Sequence, residues 1–134
     1  MNQDKRIDVL MVDDDVLLAN TLAEIFIQGG LHVTAKLNVD DAMDSLRTGF
    51  KPDIIVFDIK MPKKDGFTFL EELKNENLGV GSIKIALTND DNQQECDRAT
   101  SLGASGYIVK STMSPAEILE HIRKIVAHKK VVQG

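Results

Sequence analysis

The stretch PDIIVFDIKMPKKDG at residues 52–66 places four apolar residues directly before a carboxylate and a turn-forming segment. A short unbroken apolar run is typical of a strand buried on both faces of a parallel sheet. Three other runs also end on a polar residue: Ile7–Val12 before Asp13, Ile83–Leu87 before Thr88, and Tyr107–Val109 before Lys110. Since ligands bind at the carboxyl ends of strands in open parallel sheets, we expect these polar side chains to converge.

The rest of the chain alternates between strand-like and helix-like segments. Predicted strands cover residues 7–13, 32–36, 53–58, 83–88 and 105–109, and helices follow at about 16–28, 39–48, 66–75, 91–101 and 115–129. This alternation is typical of βαβ units. We therefore predict an α/β fold, a single doubly wound (βα)5 domain over residues 1–134 with its core at about 6–129. Few residues follow the last helix, so we expect no effector domain within the chain.

Helix-start signals differ in strength along the sequence. Ser114 and Glu117 flank Pro115 in the pattern of a capping box, which predicts the start of the last helix. Asp15 is interpreted as the cap of the first helix. We interpret Asp65-Gly66 as a turn in which Gly66 permits a backbone shape that side chains resist. The fourth helix is the weakest, with an inner face marked only by Cys96, Ala99 and Leu102.

Composition narrows the range of functions. The 134 residues carry a net charge of −5, which disfavours direct nucleic-acid binding because phosphate contacts need clustered Lys and Arg. No apolar run reaches the ~20 residues of a membrane span, so we expect no membrane partner. The single cysteine cannot form an internal disulfide, which is consistent with a reducing cytoplasm.

The converging side chains fit phosphoryl chemistry. Three carboxylates in one crevice repel each other, and a divalent cation, Mg²⁺ or Mn²⁺, relieves that repulsion. Asp13 and Asp14 would anchor the metal and Asp58 would complete the site while also serving as the nucleophile. Lys110 would pair with one phosphoryl oxygen and Thr88 would donate a hydrogen bond to another.

Residues 52–66, taken with Val12–Asp15, Leu87-Thr88 and Gly106–Lys110, resemble the signature of response regulator receiver domains of two-component and phosphorelay signalling. The resemblance covers nearly the whole chain. It implies a flavodoxin-like fold with a five-stranded parallel sheet of order 2-1-3-4-5.

The resemblance also implies roles for particular residues. A sensor histidine kinase or a histidine phosphotransfer protein would donate a phosphoryl group to Asp58, with Mg²⁺ also bound by the backbone carbonyl of Lys60. Thr88 and Tyr107 match a switch pair that rearranges the face built from the fourth helix, fifth strand and fifth helix. That face would bind a downstream protein target or serve a missing output domain, and phosphorylation could drive homodimerisation.

Two departures from the family pattern stand beside these matches. Ser111 follows Lys110 where the family commonly has proline across a cis bond, so we expect either a trans bond with a shifted loop or a strained cis bond. Asn89 follows Thr88 where a small residue is usual, which could narrow access to the phosphoryl group.

Three alternative functions have less support. A degenerate receiver acting as a phosphorylation-independent docking or dimerisation module would not need the complete polar set. A haloacid dehalogenase-type phosphatase would need a second carboxylate where Lys60 stands. A flavin-binding protein of the same topology would bring a flavin phosphate into an acidic crevice.

Overall fold

The computed structural model describes residues 6–133, with side chains through residue 129. Five strands alternate with five α-helices, and a short 3₁₀ turn precedes the last helix. In chain order the elements are β1 (Asp8–Val12), α1 (Val16–Gln28), β2 (His32–Lys36), α2 (Val39–Arg47), β3 (Ile54–Asp58), α3 (Gly66–Asn75), β4 (Ile83–Thr88), α4 (Gln93–Ser101), β5 (Gly106–Val109), the 3₁₀ turn (Lys110–Thr112) and α5 (Pro115–Gln133). The predicted domain range of 1–134 extends past the described residues at both ends.

The strands form one parallel sheet in the order β2-β1-β3-β4-β5, which confirms the predicted topology. The central strand β3 is buried along its whole length, as its unbroken apolar run predicts. Its last residue, Asp58, is in register with Leu87 on β4, and Thr88 is in register with Val109 on β5. The polar residues at these strand ends therefore lie along one edge of the sheet.

Helices cover both faces of the sheet, and a separate hydrophobic cluster lies between the sheet and the helices on each face. Leu10, Val12, Ile55 and Phe57 point into the cluster covered by α2 and α3. The alternate residues of the same strands point into the opposite cluster, which is covered by α1 and α5. This alternation within continuous apolar runs is what a doubly wound sheet requires.

Several predicted boundaries are wrong by a few residues. β1 ends at Val12, so Asp13 follows the strand. α4 begins at Gln93 because the Asn92 side chain caps it, accepting a hydrogen bond from the Glu95 amide. α5 continues to Gln133, beyond the end of the apolar pattern that predicted it. The extension covers residues 130–133 and begins with lysine, a residue type with a favourable helix propensity.

The predicted inner face of α4 is only partly correct. Ala99 is fully buried, but Cys96 is half-buried and Leu102 is the C-cap, packed at the rim of the core. α4 therefore has a much smaller apolar anchor than the sequence pattern indicated.

The helix starts at Asp15 and Ser114 are confirmed. The Asp15 carboxylate accepts from the Leu18 amide at 3.1 Å, and Ser114 and Glu117 exchange both bonds of the capping box. Among residues 6–133 no peptide bond is cis, so the Lys110–Ser111 bond is trans. Within the same range, no helix is long and apolar enough to cross a membrane.

Candidate functional site

The carboxyl edge of the sheet contains a group of buried polar residues. Among the described residues, the buried polar or charged side chains are Asp13, Asp58, Thr88 and Lys110, with exposures of 1%, 6%, 1% and 8%. These are four of the residues predicted from the strand-end pattern, and each follows or ends a different strand. A buried charge is costly unless it is paired or holds an ion, so this grouping marks a chemical site.

Three carboxylates in this group are close enough to share a cation. Asp13, Asp14 and Asp58 each offer an oxygen, and the three oxygens lie within 4.8 Å of one another. Asp13 and Asp58 are buried whereas Asp14 is exposed, so the cluster opens to solvent on one side. Oxygen ligands with room for several waters are what Mg²⁺ prefers, and the donor set fits that ion.

Lys110 lies against the same carboxylates. Its Nζ donates to Asp13 Oδ2 at 3.0 Å and lies 3.5 Å from Asp58 Oδ2. Its position follows from the sequence, because Lys110 directly succeeds β5 and begins the 3₁₀ turn. The ammonium therefore sits where it can pair with an oxygen of any group attached to Asp58.

The Asp58 carboxylate has an altered acidity. Its pKa is raised to about 6, chiefly by burial; the positive charge of Lys110 lowers the pKa, and the charges of Asp13 and Asp14 raise it. A bound cation would offset the repulsion between the carboxylates. The Asp58 carboxylate therefore holds its proton more tightly than an exposed aspartate does.

Asp15 serves the local structure instead of the carboxylate cluster. Its side chain caps α1, and its backbone amide donates to Asp13 Oδ1 at 2.9 Å. The interpretation of Asp15 as a cap is confirmed. Its amide also fixes one oxygen of Asp13, leaving the other for Lys110.

Gly66 is required for a reason different from the predicted one. Its φ angle is not positive, so the expectation of an unusual backbone shape is wrong. A Cβ at this position would lie 2.6 Å from the Asp58 carbonyl oxygen and 2.9 Å from Ile59 Cα. Glycine allows the start of α3 to pack directly against the end of β3, beside the candidate nucleophile.

Asp65 caps α3 by accepting a hydrogen bond from the Thr68 amide at 2.8 Å, a role that the interpretation of Asp65-Gly66 as a turn missed.

Thr88 and Tyr107 both contact the loop that joins β4 to α4. Thr88 Oγ1 accepts from the Asp90 amide at 3.2 Å, and the Tyr107 hydroxyl donates to the Asp90 carbonyl at 2.8 Å. The Tyr107 hydroxyl also lies 3.4 Å from a carboxylate oxygen of Glu95 on α4. Burial, followed by the negative charge of Glu95, raises the pKa of Tyr107.

Asp90 is the residue that sequence reasoning did not identify as the link between these two side chains. Its side chain also pairs with the exposed ammonium of Lys60, from the loop after β3. The contacts to Thr88 and Tyr107 use its backbone amide and carbonyl, which carry no signal in the residue type.

The two departures from the family pattern meet at this edge. Ser111 Oγ donates to the Asn89 carbonyl at 3.1 Å, which ties the turn after β5 to the loop after β4. The trans Lys110–Ser111 bond decides between the two predicted alternatives.

Comparisons with known proteins agree with this fold and site. The response regulator receiver domain pattern matches residues 9–123. A protein-glutamate methylesterase/protein-glutamine glutaminase from Desulfotalea psychrophila is 32% identical over 108 residues, covering 79% of this chain and 29% of that protein. The transcriptional regulatory protein PdtaR of Mycobacterium tuberculosis is 28% identical, covering 76% and 48%. The chain thus spans less than half the length of these two relatives.

Solved structures give the same result. A CheY-like receiver domain protein from Methanospirillum hungatei superposes with a TM-score of 0.81 at 25% identity, covering 94% of this chain and 98% of that one. The chemotaxis response regulator CheY4 of Vibrio cholerae has the same TM-score at 21% identity, covering 90% and 99%. At that identity the second likeness shows the fold alone.

A five-stranded parallel α/β sheet with an acidic pocket at its carboxyl edge defines a CheY-like signalling domain. The chain belongs to the response regulator receiver domain family of two-component signalling. Receiver domains are signalling domains that act with histidine kinases and downstream effectors, and the family binds Mg²⁺ at an acidic pocket. The methylesterase relatives carry additional domains beyond the matched part.

Proposed function

We propose that this chain is a phosphoacceptor, in which Asp58 takes a phosphoryl group from a phosphohistidine on a sensor histidine kinase or a histidine phosphotransfer protein. The observation that carries the proposal is the buried group of Asp13, Asp58, Thr88 and Lys110 at one sheet edge. An Asp58 carboxylate oxygen attacks phosphorus as the histidine nitrogen leaves, so the phosphoryl group moves between the two proteins without water. The chain at most promotes its own phosphorylation and dephosphorylation.

Asp13, Asp14, Asp58 and the backbone carbonyl of Lys60 are proposed to hold Mg²⁺ or Mn²⁺. The three carboxylate oxygens within 4.8 Å of one another support this set. When bound, the cation neutralises charge on the carboxylates and on a phosphoryl oxygen. Lys110 pairs with another phosphoryl oxygen, which its position 3.5 Å from Asp58 Oδ2 favours.

Thr88 and Tyr107 are proposed to convert phosphorylation into a change of shape. The Thr88 hydroxyl accepts from the Asp90 amide and also hydrogen-bonds to Tyr107, and it would turn from these contacts toward a phosphoryl oxygen. Tyr107 contacts the same loop and reaches Glu95 on α4. Movement of Thr88 would therefore displace the β4–α4 loop and change the contacts that Tyr107 makes on the α4-β5-α5 face.

We propose that the α4-β5-α5 face meets a downstream protein or an output domain and that the chain acts in the cytoplasm as a single receiver domain. The acidic balance of the sequence, −5 overall, supports a protein partner over nucleic acid. Homodimerisation on phosphorylation is a further expectation for the same face.

The first experiment is intact-mass measurement after incubation with Mg²⁺ and acetyl phosphate. We expect one added phosphoryl group, which is lost when EDTA replaces Mg²⁺ and in Asp58→Asn. The matched control is Asp15→Asn, because Asn also caps helices and Asp15 lies outside the carboxylate cluster. This variant should be phosphorylated like the unchanged protein.

Separate substitutions test the metal ligands. Asp13→Asn and Asp14→Asn should each raise the Mg²⁺ concentration needed for half-maximal phosphorylation, whereas Asp15→Asn should not. Failure of the unchanged protein to accept a phosphoryl group from acetyl phosphate and from a phosphorylated histidine kinase would reject the phosphoacceptor function. It would favour the docking module instead.

A further inference from the structure

The side chain of Lys60 has a partner outside its own loop. Lys60 follows β3 by two residues, and its ammonium pairs with the Asp90 carboxylate, which follows β4 by two residues. β3 and β4 are neighbours in the sheet, so this ion pair joins two loops across the carboxyl edge beside Asp58. Both side chains are substantially exposed, so the pair contributes little to the packing of the core.

Asp90 makes three contacts through three different groups. Its carboxylate meets Lys60, its amide donates to Thr88 Oγ1, and its carbonyl accepts from the Tyr107 hydroxyl. Fixing the carboxylate therefore also restricts the amide and the carbonyl of the same residue. A change at Lys60 would reach both Thr88 and Tyr107 without contacting either of them.

We propose that the side chain of Lys60 is a positioning residue that, through its ion pair with Asp90, orients Thr88 and Tyr107 before any phosphoryl group arrives. The inference rests on the proposed phosphoacceptor function for its consequence, though not for the contact itself. With Asp90 held, the Thr88 hydroxyl stays bonded to the Asp90 amide at the edge that holds Asp58. The Lys60–Asp90 pair thus lowers the ordering cost of the phosphorylated arrangement.

The size of the effect follows from the exposure of the pair. Exposed ion pairs measured in double-mutant cycles change an equilibrium by about two- to five-fold at the upper part of their range. Loss of Lys60 should therefore weaken the binding of a phosphoryl analogue by that factor without abolishing it. High salt should also weaken the binding of the phosphoryl analogue, because salt screens exposed charges.

The chain provides its own probe for the unphosphorylated state. Tyr107 is the single tyrosine and there is no tryptophan, so tyrosine fluorescence reports Tyr107 alone. The Tyr107 hydroxyl donates to the Asp90 carbonyl, so we expect a shift of Asp90 to change the tyrosine emission. We expect the emission of the metal-free protein to change in Lys60→Ala and to return to its original value in Lys60→Arg, which retains the ion pair.

The second measurement is beryllofluoride affinity in saturating Mg²⁺, followed by the same fluorescence. Lys60→Ala should raise the dissociation constant about two- to five-fold. The substitution retains the backbone carbonyl proposed as a metal ligand. The matched control is Lys64→Ala, which removes the same charge from the same loop but breaks contacts to Asp40 and Glu72.

A double-mutant cycle decides whether the two residues act together. In Lys60→Ala with Asp90→Ala, the second substitution should add little to the first if one ion pair carries the effect. Additive effects, an unchanged Tyr107 emission in Lys60→Ala, or an equal response in Lys64→Ala would overturn the inference. If the unchanged protein fails to bind beryllofluoride, the proposed function fails, while the emission of the metal-free protein still tests the role of Lys60.

Discussion

Helices α1 and α4 lie on opposite faces of the sheet and are attached to it in different ways. α1 buries Ala19, Leu22 and Phe26 in the cluster that it shares with α5. α4 buries Ala99 as its one fully buried residue over Gln93–Ser101. Since apolar burial is the main source of helix stability in a folded domain, α1 contributes far more to folding than α4 does.

The remaining contacts of α4 are polar or lie at the surface. Glu95 meets the Tyr107 hydroxyl, and the guanidinium of Arg98 lies 4.2 Å from the centre of the Phe67 ring. Such contacts are individually weak and can be exchanged for contacts with water. The helix next to the proposed switch is therefore the one held by replaceable contacts, so it can move without unfolding the domain.

The largest effect is expected from truncation of the α1 anchor. Phe26→Ala should lower the free energy of unfolding by about 3–5 kcal/mol, because it removes a fully buried ring and leaves a cavity. Cys96→Ala in α4 should cost less than about 1 kcal/mol because Cys96 is only half-buried. Urea titration at constant m-value measures both. Equal losses at the two positions would contradict the conclusion that α1 contributes more to folding than α4 does.

Asp58 lies on β3 between the two helix layers. Unlike the substitutions in the helices, its replacement should raise the free energy of unfolding. Its pKa of about 6 is above the ordinary aspartate pKa of 3.8, so the native state binds this proton more tightly than the unfolded state. Stability from this group therefore falls as pH rises between about 4 and 6. In EDTA at pH 7, Asp58→Asn should be more stable by about 1–3 kcal/mol.

The pH dependence provides the control for that prediction. Near pH 4 the Asp58 carboxyl is largely protonated in the native protein, so the advantage of Asp58→Asn should nearly disappear. Saturating Mg²⁺ should reduce the advantage at pH 7 by binding the native carboxylates of the unchanged protein. A difference in stability that stays constant from pH 4 to pH 7 would contradict the assigned burial effect.

Amide hydrogen exchange examines the same contrast without a substitution. We expect the interior amides of α1 to open with free energies close to that of global unfolding. Those of α4 should open at least about 2 kcal/mol more easily, because few apolar contacts are lost when α4 leaves the sheet. Similar protection in the two helices would show that the polar contacts of α4 hold it as firmly as burial holds α1.

The smallest expected effects concern the residues that cap α1 and α4. Asp15 caps α1 and Asn92 caps α4 by the same hydrogen bond to the amide three residues on. Asp15→Ala should cost about 1 kcal/mol of global stability in urea titration. Asn92→Ala should cost less globally, and it should increase exchange mainly within α4. Equal global costs would show that α4 unfolds together with the rest of the domain.

The parts predicted correctly from sequence are those with a local physical cause. Apolar runs of strand length predicted the five strands, and the polar residues after four of them predicted the buried group of Asp13, Asp58, Thr88 and Lys110. The capping box at Ser114 also uses only neighbouring residues and is confirmed. The boundaries of α4 and α5 were missed because burial decides them less than capping and propensity do.

The strand pattern, the doubly wound fold and the residue types gathered at its carboxyl edge could be predicted from the amino-acid sequence. The three-dimensional structure was needed to show that Gly66 permits close packing against Asp58, since that contact joins two segments through space. It alone identified Asp90 as the point where Lys60, Thr88 and Tyr107 meet. The reason is that backbone amides and carbonyls make two of those three contacts, and every residue type except proline offers the same groups.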